Sequence, residues 1–598
     1  MTDPAPPPET GPLDWTDDGQ PRSRLYGDVY FSKEDGLAES RAVFLAGCGL
    51  PQAWAGRRRF VVGELGFGTG LNVAALLNLW LQARPPDGRL HVFSIEAHPI
   101  GADEAARALG RWPELAQVAG PLLDRWPGRA RGFHRLELPD GVILDLAVLD
   151  AAEALGRWSG RADAWFLDGF SPALNPAMWT DEVLALVAAR SSPGARAATF
   201  TVAGQVRRGL AAAGFAVEKQ PGFGRKRQRL EARLAGEASP EAGPIRVAIV
   251  GAGIAGAAAA RAVRSLGGEA LVLEAEAPGA GGSGNPAALV TPRLDAGLGP
   301  PAELFGQAFR RAVALCAEAP EAIIARGVLQ LEQGPRDADR FARIAASDLF
   351  EPGGLAPVDA AQAAARLGEA APAALDQTAA LVVEPVPLLS AWTGDLRIAT
   401  VASMRREGGV WILADAAGAE LARAEAVILA AGMASADLVP DLPLKPVRGQ
   451  ASWTTGERPP AAAWGGYVLP TRDGALFGAT HDRDDTDLAV READHARNRA
   501  TLAEALPQLA ARLAGRPLAG RAALRATTPD RLPIAGRADA DGLFLLTGFG
   551  SRGFSLAPLL AEQVAALALS APPPLPSDLA DLVAPDRFRR RAARRGRS

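Results

Sequence analysis

Only two cysteines, Cys48 and Cys316, occur in 598 residues, which excludes a disulfide-built fold, and no Cys-x-x-Cys pair is present to hold zinc. The five histidines, at 91, 98, 134, 481 and 495, show no metal-ligand spacing, so no metal is expected and any redox chemistry needs an organic cofactor. No apolar run reaches the roughly 18 residues of a membrane span. The acidic, Pro-rich start MTDPAPPPETGPLDW lacks the basic opening and apolar stretch of a secretory signal. The expectation is a cytoplasmic protein with no membrane contact, and a monomer. Lysine is scarce as well, at Lys33, Lys219, Lys226 and Lys445 only; with 64 basic and 68 acidic residues the net charge is −4, which excludes a global pull toward nucleic acid. Any such surface must be local.

What is present is ordinary globular material, 48% hydrophobic and 22% charged, long enough for more than one domain. The segment Glu231–Pro244 is rich in small, polar and Pro/Gly residues, and a linker at 236–244 separates an N-terminal domain at 1–235 from a C-terminal domain at 245–598. In the first, apolar runs at Phe60–Leu65, His91–Ala97, Val142–Asp150, Ala162–Phe170 and Ala197–Phe200 alternate with helix-like stretches. In the second, Arg246–Val250 and Ala270–Glu274 flank an Ala-rich helix. Both patterns predict an α/β fold with a mostly parallel, Rossmann-like sheet.

The first glycine-rich loop, Gly63-Glu-Leu-Gly-Phe-Gly-Thr-Gly-Leu-Asn72, follows a strand and precedes a helix. Gly66, Gly68 and Gly70 permit positive φ and close ligand approach, and the helix start offers unpaired N–H groups. Three acids accompany it: Glu64 before the loop, Glu96 at the next strand end for ribose hydroxyls, and Asp150 at a third for an adenine amino group. The spacing, with Asn72 at the helix start, fits S-adenosylmethionine better than a dinucleotide. A fourth strand ends at Asp168 in Trp165-Phe-Leu-Asp-Gly-Phe-Ser-Pro172, where a carboxylate can orient a primary amine and take its proton. Phe170, Met178 and Trp179 are candidate walls for a planar base, or plain core aromatics. The domain closes in an expected hairpin around a Pro-Gly turn. Arg225, Lys226, Arg227 and Arg229 there could meet phosphates, or form a solvated face.

The second loop, Val250-Gly-Ala-Gly-Ile-Ala-Gly256, places Gly251, Gly253 and Gly256 in Gly-x-Gly-x-x-Gly between strand and helix, with Glu274 eighteen residues on. That is a dinucleotide fingerprint, and the acid argues for FAD or NAD over NADP. Gly281-Gly-Ser-Gly-Asn-Pro286, with Ser283 and Asn285, can reach a pyrophosphate or a flavin ring. The runs Ala426–Gly432 and Gly542–Phe554 suggest a chain that returns to its nucleotide domain after a long insertion, which favours FAD.

The pieces Gly27-Asp-Val-Tyr-Phe-Ser32, Gly63–Asn72, Trp165–Pro172, Gly222-Phe-Gly-Arg-Lys-Arg227, Gly281–Asn285, Pro529-Asp-Arg-Leu-Pro533 and Gly548-Phe-Gly-Ser-Arg-Gly553, in this order, resemble the family of bifunctional tRNA 5-methylaminomethyl-2-thiouridine biosynthesis proteins. The resemblance implies an N-terminal S-adenosylmethionine-dependent methyltransferase and a C-terminal FAD-dependent oxidoreductase of the glycine-oxidase type. It implies tRNA as partner, with both activities used on the wobble uridine. The C-terminal domain then removes the carboxymethyl group from 5-carboxymethylaminomethyluridine, and the N-terminal one methylates the amine left behind. Arg525 and Arg552 are implied to hold the substrate carboxylate, with Arg448 a weaker candidate, and Asp168 to serve the methyl transfer. The tail from Asp586, with seven Arg in its last twelve residues, is a candidate phosphate contact or a solvated end. Two other readings stay open: an amine oxidase of the glycine or sarcosine type fused to a small-amine N-methyltransferase, and a non-catalytic tRNA-binding scaffold.

Overall fold

The computed structural model describes residues 12–32, 34–224, 226–237 and 245–595; Lys33, Arg225, most of the expected linker and Arg597 lie outside them. The chain divides into two compact units, Met1–Ala242 and Gly243–Ser598. No described helix is long and apolar enough to cross a membrane, and no described cluster of His, Cys, Asp and Glu could hold a metal.

In the first unit eight strands form one sheet: β1 (Arg59–Leu65), β2 (Arg89–Ile95), β3 (Gly132–Leu138), β4 (Val142–Val148), β5 (Ala162–Leu167), β6 (Ser191–Thr199), β7 (Phe215–Pro221) and β8 (Gln228–Leu234). Their order is β3-β4-β2-β1-β5-β6-β8-β7, parallel through the middle and antiparallel at both edges. The two-residue period of a strand sends Phe60 and Val62 of β1 into one core and Val61 and Leu65 into the other. A strand buried on both faces reads as one apolar run, which is why it was legible. Gly63 interrupts that run because a Cβ there would lie 2.3 Å from the Trp165 ring. After β1 the chain steps outward through β2 to β4, then returns to the other side of β1 for β5. The resulting switch point lies between β1 and β5, and its crevice opens at their carboxyl ends. Helix α1 (Leu71–Ala83) begins there. β3 was not expected; its Arg135 forks onto buried Asp145, whose other partner is His91 Nε2 at 2.7 Å, so His91 belongs to the core.

The second unit holds a six-stranded sheet of β9 (Arg246–Val250), β10 (Glu269–Glu274), β11 (Leu396–Ile398), β12 (Ala426–Leu429), β15 (Ile534–Arg537) and β16 (Leu543–Thr547), in the order β11-β10-β9-β12-β16-β15. Between β10 and β11, and again between β12 and β15, the chain leaves for a ten-stranded sheet, to which the second excursion contributes β13 (Lys445–Thr455) and β14 (Ala519–Thr527), paired antiparallel. The return after a long insertion is therefore present: β9, β12 and β16 run parallel side by side, although more than 100 residues separate each from the next. Helices α2 (Ile254–Ser265) and α3 (Gly553–Ala568) start from the loops after β9 and β16.

Candidate active sites

In the first unit the loops after β1 and β5 meet at the switch point. Gly66, Gly68 and Gly70 have φ of +83°, +53° and +74°, a region that L side chains rarely adopt. A Cβ on Gly66 would lie 3.2 Å from Gly169 Cα, so the two loops touch backbone to backbone. Glu96 accepts from the Gly68 N–H at 3.0 Å and the His98 N–H at 2.9 Å, which leaves lone pairs on both oxygens. Asp150 is exposed at the start of the Ala151–Arg157 helix and makes no side-chain cap bond.

Asp168 lies partly open to the crevice, its Oδ1 accepting from the Gly169 N–H at 2.8 Å and its Oδ2 from Asn72 Nδ2 at 2.7 Å. Burial pushes its carboxyl up to about 6 against those bonds; nearby Glu39 adds to the push and Lys226 opposes it. Asn72, expected to contact the cofactor, thus fixes Asp168 from the first turn of α1. Lys226 donates to Glu39 at 2.8 Å and lies 4.2 Å over the Phe200 ring. Arg229 pairs with Glu231, and Arg227 has no ion-pair partner among the described residues.

Between walls for a base and plain core, burial decides for Trp179. Trp179 is buried in the core, its N–H on the Phe170 carbonyl at 3.0 Å, so it supports the loop from behind and cannot stack on a base. Phe170 packs instead with Tyr26 and Tyr30 at centroid distances of 5.0 and 5.1 Å. Neither tyrosine was singled out, although Tyr30 stands in the Gly27–Ser32 piece; nothing in local spacing ties that segment to Phe170. The tie is Asp28, which accepts from the Ser171 N–H at 3.0 Å.

Glu64 is wholly buried in β1. Ser94 donates to one oxygen, and the other, with the Asn72 amide nearby, completes no well-formed hydrogen bond among the described residues. A buried acceptor left open beside three ligand-clearing glycines, with Glu96 and Asp150 at neighbouring strand ends, fits an adenosine cofactor with hydroxyl, amino and ammonium donors. Burial, with Asp168 adding charge, pushes the Glu64 carboxyl from 4.5 up to about 8. The native state then keeps a proton that the unfolded chain releases, so stability falls as pH rises between about 4.5 and about 8. Glu64→Gln is expected to remove that slope: melting of the cofactor-free variant should gain on wild type as pH is raised, and parallel curves would refute the assignment.

In the second unit the turn from β9 to α2 is constrained at each glycine. Gly251 has φ +104° and its Cβ would lie 2.7 Å from the Ala430 carbonyl oxygen. At Gly256 a Cβ would come within 1.7 Å of the Gly251 carbonyl oxygen, so this glycine admits the helix against the turn and does not itself line the cavity. Glu274 accepts from the Ala252 N–H at 2.6 Å, and Ser283 Oγ from the Ile254 N–H at 3.1 Å, which makes Ser283 a cap on α2. A cavity of about 1670 Å³ runs from Gly251, Gly253, Glu274, Ser283 and Asn285 to Arg525 and Arg552. Typical small-ligand pockets measure about 300–1,000 Å³, so there is room for a dinucleotide and a substrate together.

Arg525, on β14, lies across Gly449 of β13, where a Cβ would be 2.0 Å from its Nη1, and it donates to the Thr480 carbonyl at 3.0 Å. Burial lowers its pKa, with Tyr467 and Asp482 opposing. Arg552, just before α3, is lowered to about 10 by burial and by Arg293. Neither makes an ion pair among the described residues. Two enclosed guanidiniums without carboxylates are what an anionic substrate group would complete. Arg448 is corrected: it is 0% exposed and saturated by Asp494 at 2.6 Å, Gln450 and the carbonyls of Asp487 and Ala489. The Arg-rich tail forms a helix over Arg587–Arg595 whose cations pair with this unit's own acids: Arg587 and Arg591 with Asp530, Arg589 with Asp539 and Arg590 with Asp581. It therefore offers phosphates far less charge than its composition suggests.

Residues 246–567 match the family described as FAD dependent oxidoreductase, and residues 113–235 that of S-adenosyl-L-methionine-dependent methyltransferase. A solved glycine oxidase from Geobacillus kaustophilus aligns at 22% identity and TM-score 0.47 over 55% of this chain and 95% of its own. A protein from Caulobacter vibrioides named tRNA 5-methylaminomethyl-2-thiouridine biosynthesis bifunctional protein MnmC is 61% identical over 96% of this chain and 97% of its own. One of the same name from Maricaulis maris is 44% identical over 98% and 97%. Similarity that runs through both units and the whole length of such relatives leaves one conclusion: the chain belongs to the MnmC family of bifunctional tRNA 5-methylaminomethyl-2-thiouridine biosynthesis proteins.

Proposed function

We propose that this protein acts twice on the wobble uridine of tRNA. Its second unit removes the carboxymethyl group from 5-carboxymethylaminomethyl(-2-thio)uridine, and its first unit converts the resulting amine to 5-methylaminomethyl(-2-thio)uridine. The observation that carries the reading is the pairing of two different cofactor crevices with two different substrate groups: unpaired, enclosed Arg525 and Arg552 in one, and a carboxylate held by Asn72 and Gly169 in the other.

Gly251, Gly253, Glu274, Ser283 and Asn285 would hold FAD, which supplies a hydride acceptor for the carbon between nitrogen and carboxylate. The substrate nitrogen loses its N–H proton as the carbon–nitrogen bond becomes an imine, and water splits that imine into glyoxylate and the primary amine. Arg525 and Arg552 fork onto the substrate carboxylate and fix that carbon in place, a task for which a planar guanidinium is better shaped than an ammonium. In the first unit Glu64, Glu96, Asp150 and the Gly66–Gly70 loop would hold S-adenosylmethionine, the methyl donor. The amine must present a free lone pair. Asp168, ionised above about 6, accepts its proton, and Asn72 keeps the carboxylate aimed.

The test is mass spectrometry of wobble nucleosides from cells lacking this protein. The carboxymethylaminomethyl base should accumulate, and purified protein with both cofactors should convert it and release one glyoxylate per base. An unchanged nucleoside profile would overturn the reading.

A further inference from the structure

Six cations line the cavity of the second unit against three acids, and they fall into two groups. Arg293, Arg525 and Arg552 form the inner group; burial lowers the pKa of the last two. Lys445, Arg483 and Arg531 are exposed, and among the described residues none of the three makes an ion pair or a side-chain hydrogen bond. That sets them apart in a unit where Arg491, Arg497, Arg589 and Arg591 each meet an aspartate.

Sheet register brings the three together. Lys445 opens β13 opposite Thr527, which ends β14 and donates its hydroxyl to the Lys445 carbonyl at 2.9 Å. On the other edge of β13, Arg483 stands opposite Val447. Arg531 follows Thr527 in a turn closed by its own N–H on the Thr528 carbonyl at 3.1 Å, with φ +59°, a conformation uncommon outside glycine. Arg587 and Arg591 hold the adjoining Asp530 and so brace this turn. His481 reports the convergence: partial burial and the guanidiniums of Arg525, Arg483 and Arg531, with Asp482 opposing, hold its imidazole below the ordinary value.

We infer that Lys445, Arg483 and Arg531 form a rim that binds the backbone phosphates flanking the modified uridine while its side chain reaches Arg525 and Arg552. The inference rests on the proposed tRNA substrate. A base can enter a cavity only if its own phosphates stop at the mouth, and in a single-stranded loop those phosphates are the fixed anions within reach. The rim has unpaired positive charge there, whereas four arginines of the C-terminal helix already meet Asp530, Asp539 and Asp581. Of the acids in the lining, Asp484 lies next to Arg483, which leaves the rim a net positive patch.

Full-length, flavin-loaded protein is assayed for glyoxylate release from tRNA carrying the carboxymethylaminomethyl base at several salt concentrations. Wild type is compared with Lys445→Gln, Arg483→Gln, Arg531→Gln and the triple variant. The triple variant is expected to raise KM for tRNA about tenfold or more, and to flatten the dependence of log KM on log salt by about 0.7 for each phosphate that is no longer neutralised. Each single change should shift KM about two- to fourfold the same way; Lys445 and Arg483, both exposed, keep the test valid if the triple variant loses flavin. Wild-type activity with variants equal to it in KM and salt slope would overturn the rim and leave the proposed function standing. A wild type that releases no glyoxylate from this tRNA would overturn both.

Discussion

Asp168→Asn is expected to lower methyl transfer by about 10²- to 10⁴-fold, the usual range for loss of a general base, while glyoxylate release continues in the same preparation. The substitution keeps the size of the side chain and removes its charge and its capacity to take a proton; the amide oxygen can still accept from the Gly169 N–H, while its NH2 needs the Asn72 amide turned to present oxygen. The sign of the pH effect follows from the environment. Burial raises the Asp168 carboxyl to about 6, so the wild-type rate should fall as pH drops through that value and the base becomes occupied. Deprotonation of the amine adds its own rise at higher pH, so the low-pH limb is the part that reports Asp168. Transfer of labelled methyl to aminomethylated tRNA measures both. An Asn variant that kept its activity, or a profile with no limb near 6, would remove Asp168 from the chemistry. Asn72→Ala should show a milder version, because the carboxylate would keep its bond to Gly169 but lose the 2.7 Å bond from the side chain.

The second large effect is expected at Arg525. A buried, hydrogen-bonded charge pair truncated on one side costs about 2–5 kcal/mol, so Arg525→Met should reduce kcat/KM for glyoxylate release by about 30-fold to several thousandfold. Arg525→Lys should recover little of this, since an ammonium cannot fork across two carboxylate oxygens. Methylation of tRNA that already carries the aminomethyl base should proceed. Stability separates this role from a structural one. Arg525 is enclosed without a carboxylate partner among the described residues, so its replacement by an apolar chain of similar length should leave the melting temperature unchanged or raise it. Loss of activity together with a large drop in melting temperature would mean that Arg525 holds the sheet, not the substrate. Arg448→Met supplies the contrast: there the guanidinium satisfies Asp494, Gln450 and two carbonyls, and unfolding is the expected outcome.

The contrast between Arg448 and Arg525 shows where the sequence stops being informative. Both are arginines on β-strands of the same sheet, one residue apart in register, and nothing local separates them. Arg448 is neutralised because the segment from Asp487 to Asp494 folds over it, whereas Arg525 faces the cavity across Gly449. The tail is a second instance. Its seven arginines read as free charge in one dimension, yet four of them meet acids placed beside them only by the fold. Trp179 and the pair Tyr26 and Tyr30 exchanged roles for the same reason. An aromatic's neighbours belong to other elements, and Asp28 docks onto Ser171 from far along the chain.

Local order alone determined the two cofactor loops, the strands that feed them and the acids at their ends. Strand periodicity, positive φ at glycine and the geometry of a strand-to-helix turn are properties of a few consecutive residues, and the sequence records them directly. Which cations stay unpaired, which carboxylate is pushed up toward neutrality and which side chains share a crevice were decided only in three dimensions. Charge and burial depend on what distant segments bring within a few ångströms, and one strand's sequence carries no record of its neighbours.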